Sequence, residues 1–134
     1  MSLLLCACSN ENTQIANPWQ SYSRLKDAKA QVSFDVTCPK EKDATYQIMD
    51  SELFEMDYED VHLRKSISDE DNSGDYNEYD ETWNLDVDGI SVLCKGEDAT
   101  THCAIWYRNK FAYSMTSEKG MTEEQLNIIV KEFQ

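Results

Sequence analysis

The densest run of potential ligand atoms is the stretch SDEDNSGDYNEYDE over residues 68–81. Asp69, Asp71, Ser73, Gly74, Asp75, Asn77 and Asp80 fall at the first, third, fifth, sixth, seventh, ninth and twelfth places of a calcium-loop pattern. Calcium takes six to eight oxygen ligands, and a glycine at the sixth place supplies the sharp turn. Two features count against an EF-hand. Asp80 reaches less far than the usual glutamate, and the segment before the loop reads as a strand. The pattern is therefore either a weak calcium site or a solvated acidic loop with a Ser-Gly turn.

Other reactive residues are scattered. Cys94 and Cys103 flank a polar stretch and are expected on neighbouring strands, either as a disulfide or as two small buried apolar residues. Cys38 stands alone before Pro39, and neither His62 nor His102 has zinc-ligand spacing from a cysteine pair. His62 lies in an alternating strand and is expected to face solvent. No nucleophile motif accompanies the serines, and no glycine-rich phosphate loop is present. Carboxylates are so numerous that a hydrolytic pair stays open without being identifiable. On the far face of the second half, Leu93, Ala104, Trp106 and Ala112, with Ser114, could outline a shallow apolar groove for a peptide or glycan; alternatively Trp106 is core.

At the amino end, Leu5-Cys6-Ala7-Cys8 reads as a lipobox, with Cys8 the residue that would carry the lipid. The apolar run before it is short and lacks a basic residue, so residues 1–8 read as a truncated lipoprotein signal. Diacylation would hold the protein on a membrane surface, outside the cytoplasm, where a disulfide can form. The net charge of −14 over 134 residues disfavours nucleic acid, whose phosphates demand a basic surface. It suits cationic partners, divalent ions or simple solubility.

The elements that position these residues follow from periodicity. Residues 9–20 read as a polar linker ending in Pro18-Trp19, and residues 21–134 as one domain. Ser21 or Ser23 is expected to cap a helix running to about Val32, with Leu25, Ala28 and Val32 as its stripe. Phe34 to Val36 reads as a short strand. Phe54, Met56 and Tyr58 alternate with Glu55, Asp57 and Glu59, and Val61, Leu63 and Ile67 follow on the next strand. Trp83, Leu85 and Val87 lead to Asp88-Gly89, a two-residue hairpin turn. Ile90, Val92 and Cys94 return, a loop over 96–102 follows, and Arg108-Asn109 turns the chain again. Thr122 with Gln125 forms a capping box ahead of Leu126, Ile129, Val130 and Phe133. The prediction is an α+β domain: a meander of about six antiparallel strands, with an N-terminal and a C-terminal helix on one face.

Several stretches, in order, are similar to a known family: Asn17-Pro18-Trp19, residues 74–79 (GDYNEY), 88–96 (DGISVLCKG), Ala104-Ile105-Trp106, Tyr113-Ser114 and 120–124 (GMTEE). The chain resembles a domain-of-unknown-function family of Gram-positive anaerobes. Its members are secreted lipoproteins or outer portions of membrane proteins resembling anti-sigma factors. The resemblance, over residues 17–133, implies fold and location but no activity. Cys94 and Cys103 stand where that family has aliphatic residues, which adds weight to a disulfide. Arg108-Asn109-Lys110 replaces its usual glycine-containing turn. Together these readings predict an extracytoplasmic, lipid-anchored, non-enzymatic module that binds a protein, peptide or envelope ligand. A calcium-dependent structural module and a hydrolase with an unrecognised carboxylate site are the alternatives.

Overall fold

The computed structural model describes residues 18–134; Cys8 and most of the predicted linker lie outside the described residues. The chain runs β1 (Trp19–Tyr22), α1 (Leu25–Lys29), β2 (Thr45–Met49), β3 (Leu53–Tyr58), β4 (Val61–Ile67), β5 (Glu81–Val87), β6 (Ile90–Glu97), β7 (Thr100–Arg108), β8 (Phe111–Met121) and α2 (Glu123–Glu132). All eight strands form one sheet in the order β1-β2-β3-β4-β8-β7-β6-β5, antiparallel throughout. Two four-stranded meanders thus meet where β4 pairs with β8, and the 68–80 segment carries the chain from the middle of the sheet to its far edge.

The fold is α+β and antiparallel, with eight strands where about six are expected. The additions are β1 and β2. Trp19 and Gln20 belong to β1 rather than to a linker, and Trp19 faces Met49 in its register. The first helix is also shorter than predicted. Ser21 lies in β1, the N-cap is Arg24 without a side-chain cap bond, and α1 ends at Lys29. Phe34 to Val36 is not a strand. That segment is held instead by paired backbone bonds between Thr37 and Gln134. The two helices do not form a matched layer: α1 packs chiefly on β1 and β2, α2 on β5 and β7.

Strand alternation sorts the side chains into two faces. Phe54, Met56, Leu63, Met115, Ala104, Trp106, Val92 and Cys94 point to the α2 side and are almost wholly buried. Leu126, Ile129, Val130 and Phe133 of α2 close this core. The capping box forms as predicted, with Thr122 Oγ1 accepting from the Gln125 amide and Gln125 Oε1 from the Thr122 amide. Lys65 is the exception in this apolar layer. Its Nζ donates to the Asp35 carbonyl at 2.6 Å and sits over the rings of Phe34, Phe111 and Tyr113, so the buried charge is solvated by a carbonyl and aromatic faces. Burial lowers its pKa, against the opposing pull of Asp35.

Candidate functional site

The second face of the sheet is polar and is divided in two. Over its middle lies the 68–80 segment, tied down by Asn72. The Asn72 amide donates to Ser66 Oγ at 2.8 Å and to the Ala112 carbonyl at 3.0 Å, and Arg64 Nη1 donates to the Asn72 carbonyl at 3.0 Å. Gly74, at φ +68, is needed where the loop crosses the arginine, since a Cβ there would lie 3.0 Å from Arg64 Nη1. Ser114 Oγ and Asn72 Oδ1 are buried without a hydrogen-bond partner.

Asp71, Ser73 and Asp75, three of the predicted calcium ligands, spend side-chain oxygens on the loop itself. Asp71 Oδ1 accepts from the Ser73 amide, and Ser73 Oγ from the Asp75 amide. Asp75 Oδ1 accepts from both nitrogens of Asn77, and Asp75 Oδ2 from Tyr79 Oη at 2.5 Å. These are Asx and Ser turns, each oxygen satisfied two to four residues along the chain. Burial pushes the Asp75 carboxyl up, but the bonds from Tyr79 and Asn77 outweigh it and hold the group below the usual range. Asp69, Asp71, Ser73, Asp75, Asn77 and Asp80 therefore do not form the predicted cage, and no three acidic side chains of the loop bring ligand oxygens together. Gly74 turns the loop at a positive φ where it passes the Arg64 guanidinium.

Two further expectations fail on register. The stretch read as a 96–102 loop is a tight hairpin, with Asp98 and Ala99 both at positive φ and Glu97 facing Thr100. Continued regularly, that register would set Cys94 opposite Cys103. A bulge at Lys95/Gly96 shifts it by one residue, so Cys94 faces Ala104 and Lys95 faces Cys103. Gly96 permits the bulge: a Cβ there would fall 1.9 Å from the Thr100 carbonyl oxygen. Slipping by one residue sends the two thiols to opposite faces, and both are free and buried. Burial pushes each up to about 11, the condition of an inert thiol.

The predicted groove is likewise split. Trp106, 1 % exposed, stacks on Tyr113 in the core beside Ala104. Leu93 and Ala112 stand on the other face with Ile105 and Tyr107. The two-residue turn at Asn109 and Lys110, both at positive φ, sets odd positions against even ones. Trp106 thus faces Tyr113, and Ala112 faces Tyr107.

Ligand-bearing side chains do converge on the remaining half of this face, over β2, β3 and β4. Asp57 lies directly opposite His62, Glu55 opposite Arg64, and Gln47 opposite Glu55. His62 Nδ1 is 2.5 Å from Asp57 Oδ1 and 4.0 Å from Glu55 Oε2. Arg64 Nε donates to Glu55 Oε1 at 2.6 Å. Gln47 Nε2 donates to Asp57 Oδ2 at 2.8 Å and to Glu55 Oε2 at 3.3 Å. The Arg64 guanidinium lies over the Trp19 ring at 5.2 Å. The cluster is graded in depth: the side chain of Glu55 is 8 % exposed, that of His62 48 %.

Burial raises the Glu55 pKa, and the neighbouring Asp57 carboxyl adds to this, with Arg64 pulling the other way. Asp57 is also pushed up by burial, but the neighbouring Glu55 carboxyl and the contacts from His62 and Gln47 outweigh that and lower it. The two carboxyls are thus shifted in opposite directions, the buried one upward and the outer one downward. Among the described residues Glu55, Asp57 and His62 are the acidic and imidazole groups whose ligand atoms all lie within 4.8 Å of one another.

His62 is exposed, as its place in the alternating strand implies, and also meets Asp57. A sequence signal for the cluster exists in E-x-D-x-x-x-x-H over residues 55–62. Alternation puts Glu55 and Asp57 on one face, and a two-residue turn at 59–60 sets Asp57 against His62. His102, the other histidine, stacks on Tyr79 with centroids 5.9 Å apart and contacts the Ser117 carbonyl at 3.1 Å. No helix among the described residues is long and apolar enough to cross a membrane. No protein-family model, no curated protein and no solved structure matches this chain.

Proposed function

We propose that this protein is a non-enzymatic binding module, held outside the cytoplasm by a lipid on Cys8, that uses the polar face of β2, β3 and β4 to take its ligand. The observation that carries the choice of surface is the convergence of Gln47, Glu55, Asp57, His62 and Arg64 on the polar face of β2, β3 and β4, beside the 68–80 loop, which meets the cluster at Arg64. Side chains of both signs, graded from buried to exposed, suit recognition of a polar group by oriented hydrogen bonds. The resemblance to secreted lipoproteins supports the location.

A hydrolase is the second reading, favoured by one observation: Glu55 and Asp57 are shifted in opposite directions, as an acid and a base would be. Geometry weighs against it. Both carboxylates accept from the same Gln47 amide, which leaves no room between them for a scissile bond and water.

The surface is tested with a photo-crosslinking amino acid at exposed Thr45, which faces Asp57 across β2 and β3, in the membrane-bound protein, and at exposed Ile128 on α2 as the control. A discrete adduct from position 45 alone is expected; equal labelling from both positions contradicts the assignment. The anchor is tested by metabolic labelling with palmitate, which Cys8→Ser should abolish.

A further inference from the structure

We infer that Glu55, Asp57 and His62 form a binding site for one first-row divalent transition-metal ion, with zinc as the ion its donors suit best. This rests on the reading of the β2–β4 face as the working surface and names the chemistry of its centre. Two carboxylates and one imidazole are a mixed oxygen and nitrogen set, which suits zinc, cobalt or manganese better than calcium, an all-oxygen ion.

Spacing supports the assignment. Zinc bonds of about 2.1 Å set tetrahedral ligand atoms roughly 3.4 Å apart. The distances from His62 Nδ1, 2.5 Å to Asp57 Oδ1 and 4.0 Å to Glu55 Oε2, bracket that separation. Small side-chain rotations therefore place an ion among the three. It takes the place of the direct contact between His62 Nδ1 and Asp57 Oδ1, with the imidazole as a neutral ligand through Nδ1.

The surroundings orient the donors. Each carboxylate has one oxygen tied down by a neighbour and the other turned toward His62. Arg64 holds Glu55 Oε1 at 2.6 Å, and Gln47 holds Asp57 Oδ2 at 2.8 Å. Outer-shell bonds of this kind fix ligating carboxylates before the ion arrives. The weaker contact of Gln47 with Glu55 Oε2, 3.3 Å, is the one that must yield. All three ligands come from one hairpin, so the site needs no long-range assembly. Three protein ligands leave a fourth position open, as in zinc sites that exchange ligands, and the half-exposed His62 puts that position toward solvent.

The test is a titration of the full chain carrying Cys6→Ser and Cys8→Ser, which removes a pair of thiols that would bind zinc or cobalt themselves. Cobalt(II) should bind at one equivalent, with visible d–d bands, without a thiolate charge-transfer band, and be displaced by zinc. Asp57→Asn, which keeps the side-chain shape, and His62→Ala should each weaken binding at least tenfold while the thermal midpoint of the metal-free protein stays within a few degrees. Asp69→Asn and Asp71→Asn should leave affinity unchanged. The inference is overturned if neither ion binds at millimolar concentration, or if Asp57→Asn and His62→Ala bind as the parent does. If the metal fails but crosslinking from position 45 persists, the binding surface stands without an ion. If both fail, the surface is misassigned.

Discussion

Asp71, Ser73 and Asp75 turn their oxygens onto amides two residues further along the chain, whereas Glu55 and Asp57 turn theirs toward His62 Nδ1 on the next strand. The loop and the β3–β4 hairpin thus hold similar donor atoms and spend them differently. In an irregular segment lying on a sheet, backbone amides lack ladder partners and must find others, and short acidic side chains are the nearest acceptors. In the hairpin the ladder already satisfies the amides, so the side chains are left for each other. Ligand density along a sequence is therefore a poor guide to convergence in space. What counts is whether the backbone competes for the same oxygens.

Arg64 joins the two regions, with Nε on Glu55 and Nη1 on the Asn72 carbonyl. Removing it is the most damaging way to break the comparison. Arg64→Ala should cost about 3 kcal/mol in denaturant unfolding, because it leaves the buried Glu55 without its partner. Arg64→Lys should recover only part of this, since an ammonium cannot serve both contacts in the same geometry. Asn72→Ala should separate the regions. It strips Ser66 Oγ and the Ala112 carbonyl of their donor at a cost of about 1–2 kcal/mol. Faster amide exchange over 69–80, with exchange over 53–66 unchanged, is the outcome that checks it.

Asp75 gives the pH signature of the loop. Its carboxyl is held below the usual range, so it adds stability that is present above the unfolded value of about 3.9 and fades as pH falls toward the lower folded value. The melting-temperature gap between the parent and Asp75→Asn should be constant from pH 6 to 8 and shrink below pH 4. The smallest effect belongs to Ser114→Ala. Its hydroxyl is buried without a partner, so deletion should change stability by no more than about 0.5 kcal/mol, with any gain on the stabilising side.

Much of the fold is legible locally. The Thr122 capping box, the Asp88-Gly89 turn and the alternation of Phe54, Met56 and Leu63 are all signalled by neighbouring residues. What the sequence hides is register. One bulge at Gly96 moves Cys103 off Cys94, and a two-residue turn at Asn109-Lys110 separates Trp106 from Ala112. β7 is buried on both faces from Cys103 to Trp106, so it shows no period of two from which its facing could be read. β1 is concealed because Trp19–Tyr22 is only four residues long and adjoins a polar stretch. The Glu55–Asp57–His62 cluster was within reach of alternation and a two-residue turn, but the acidic run over 68–81 carries the stronger motif.

The most direct test of the contrast between loop and hairpin is the two-dimensional amide spectrum of the chain carrying Cys6→Ser and Cys8→Ser, with cobalt(II) added below one equivalent. Paramagnetic shifts and broadening centred on residues 55–62, with residues 69–80 affected only where they lie near Arg64, is the predicted result. Broadening centred on Asp69 to Asp80, with the β3–β4 hairpin unperturbed, would contradict it.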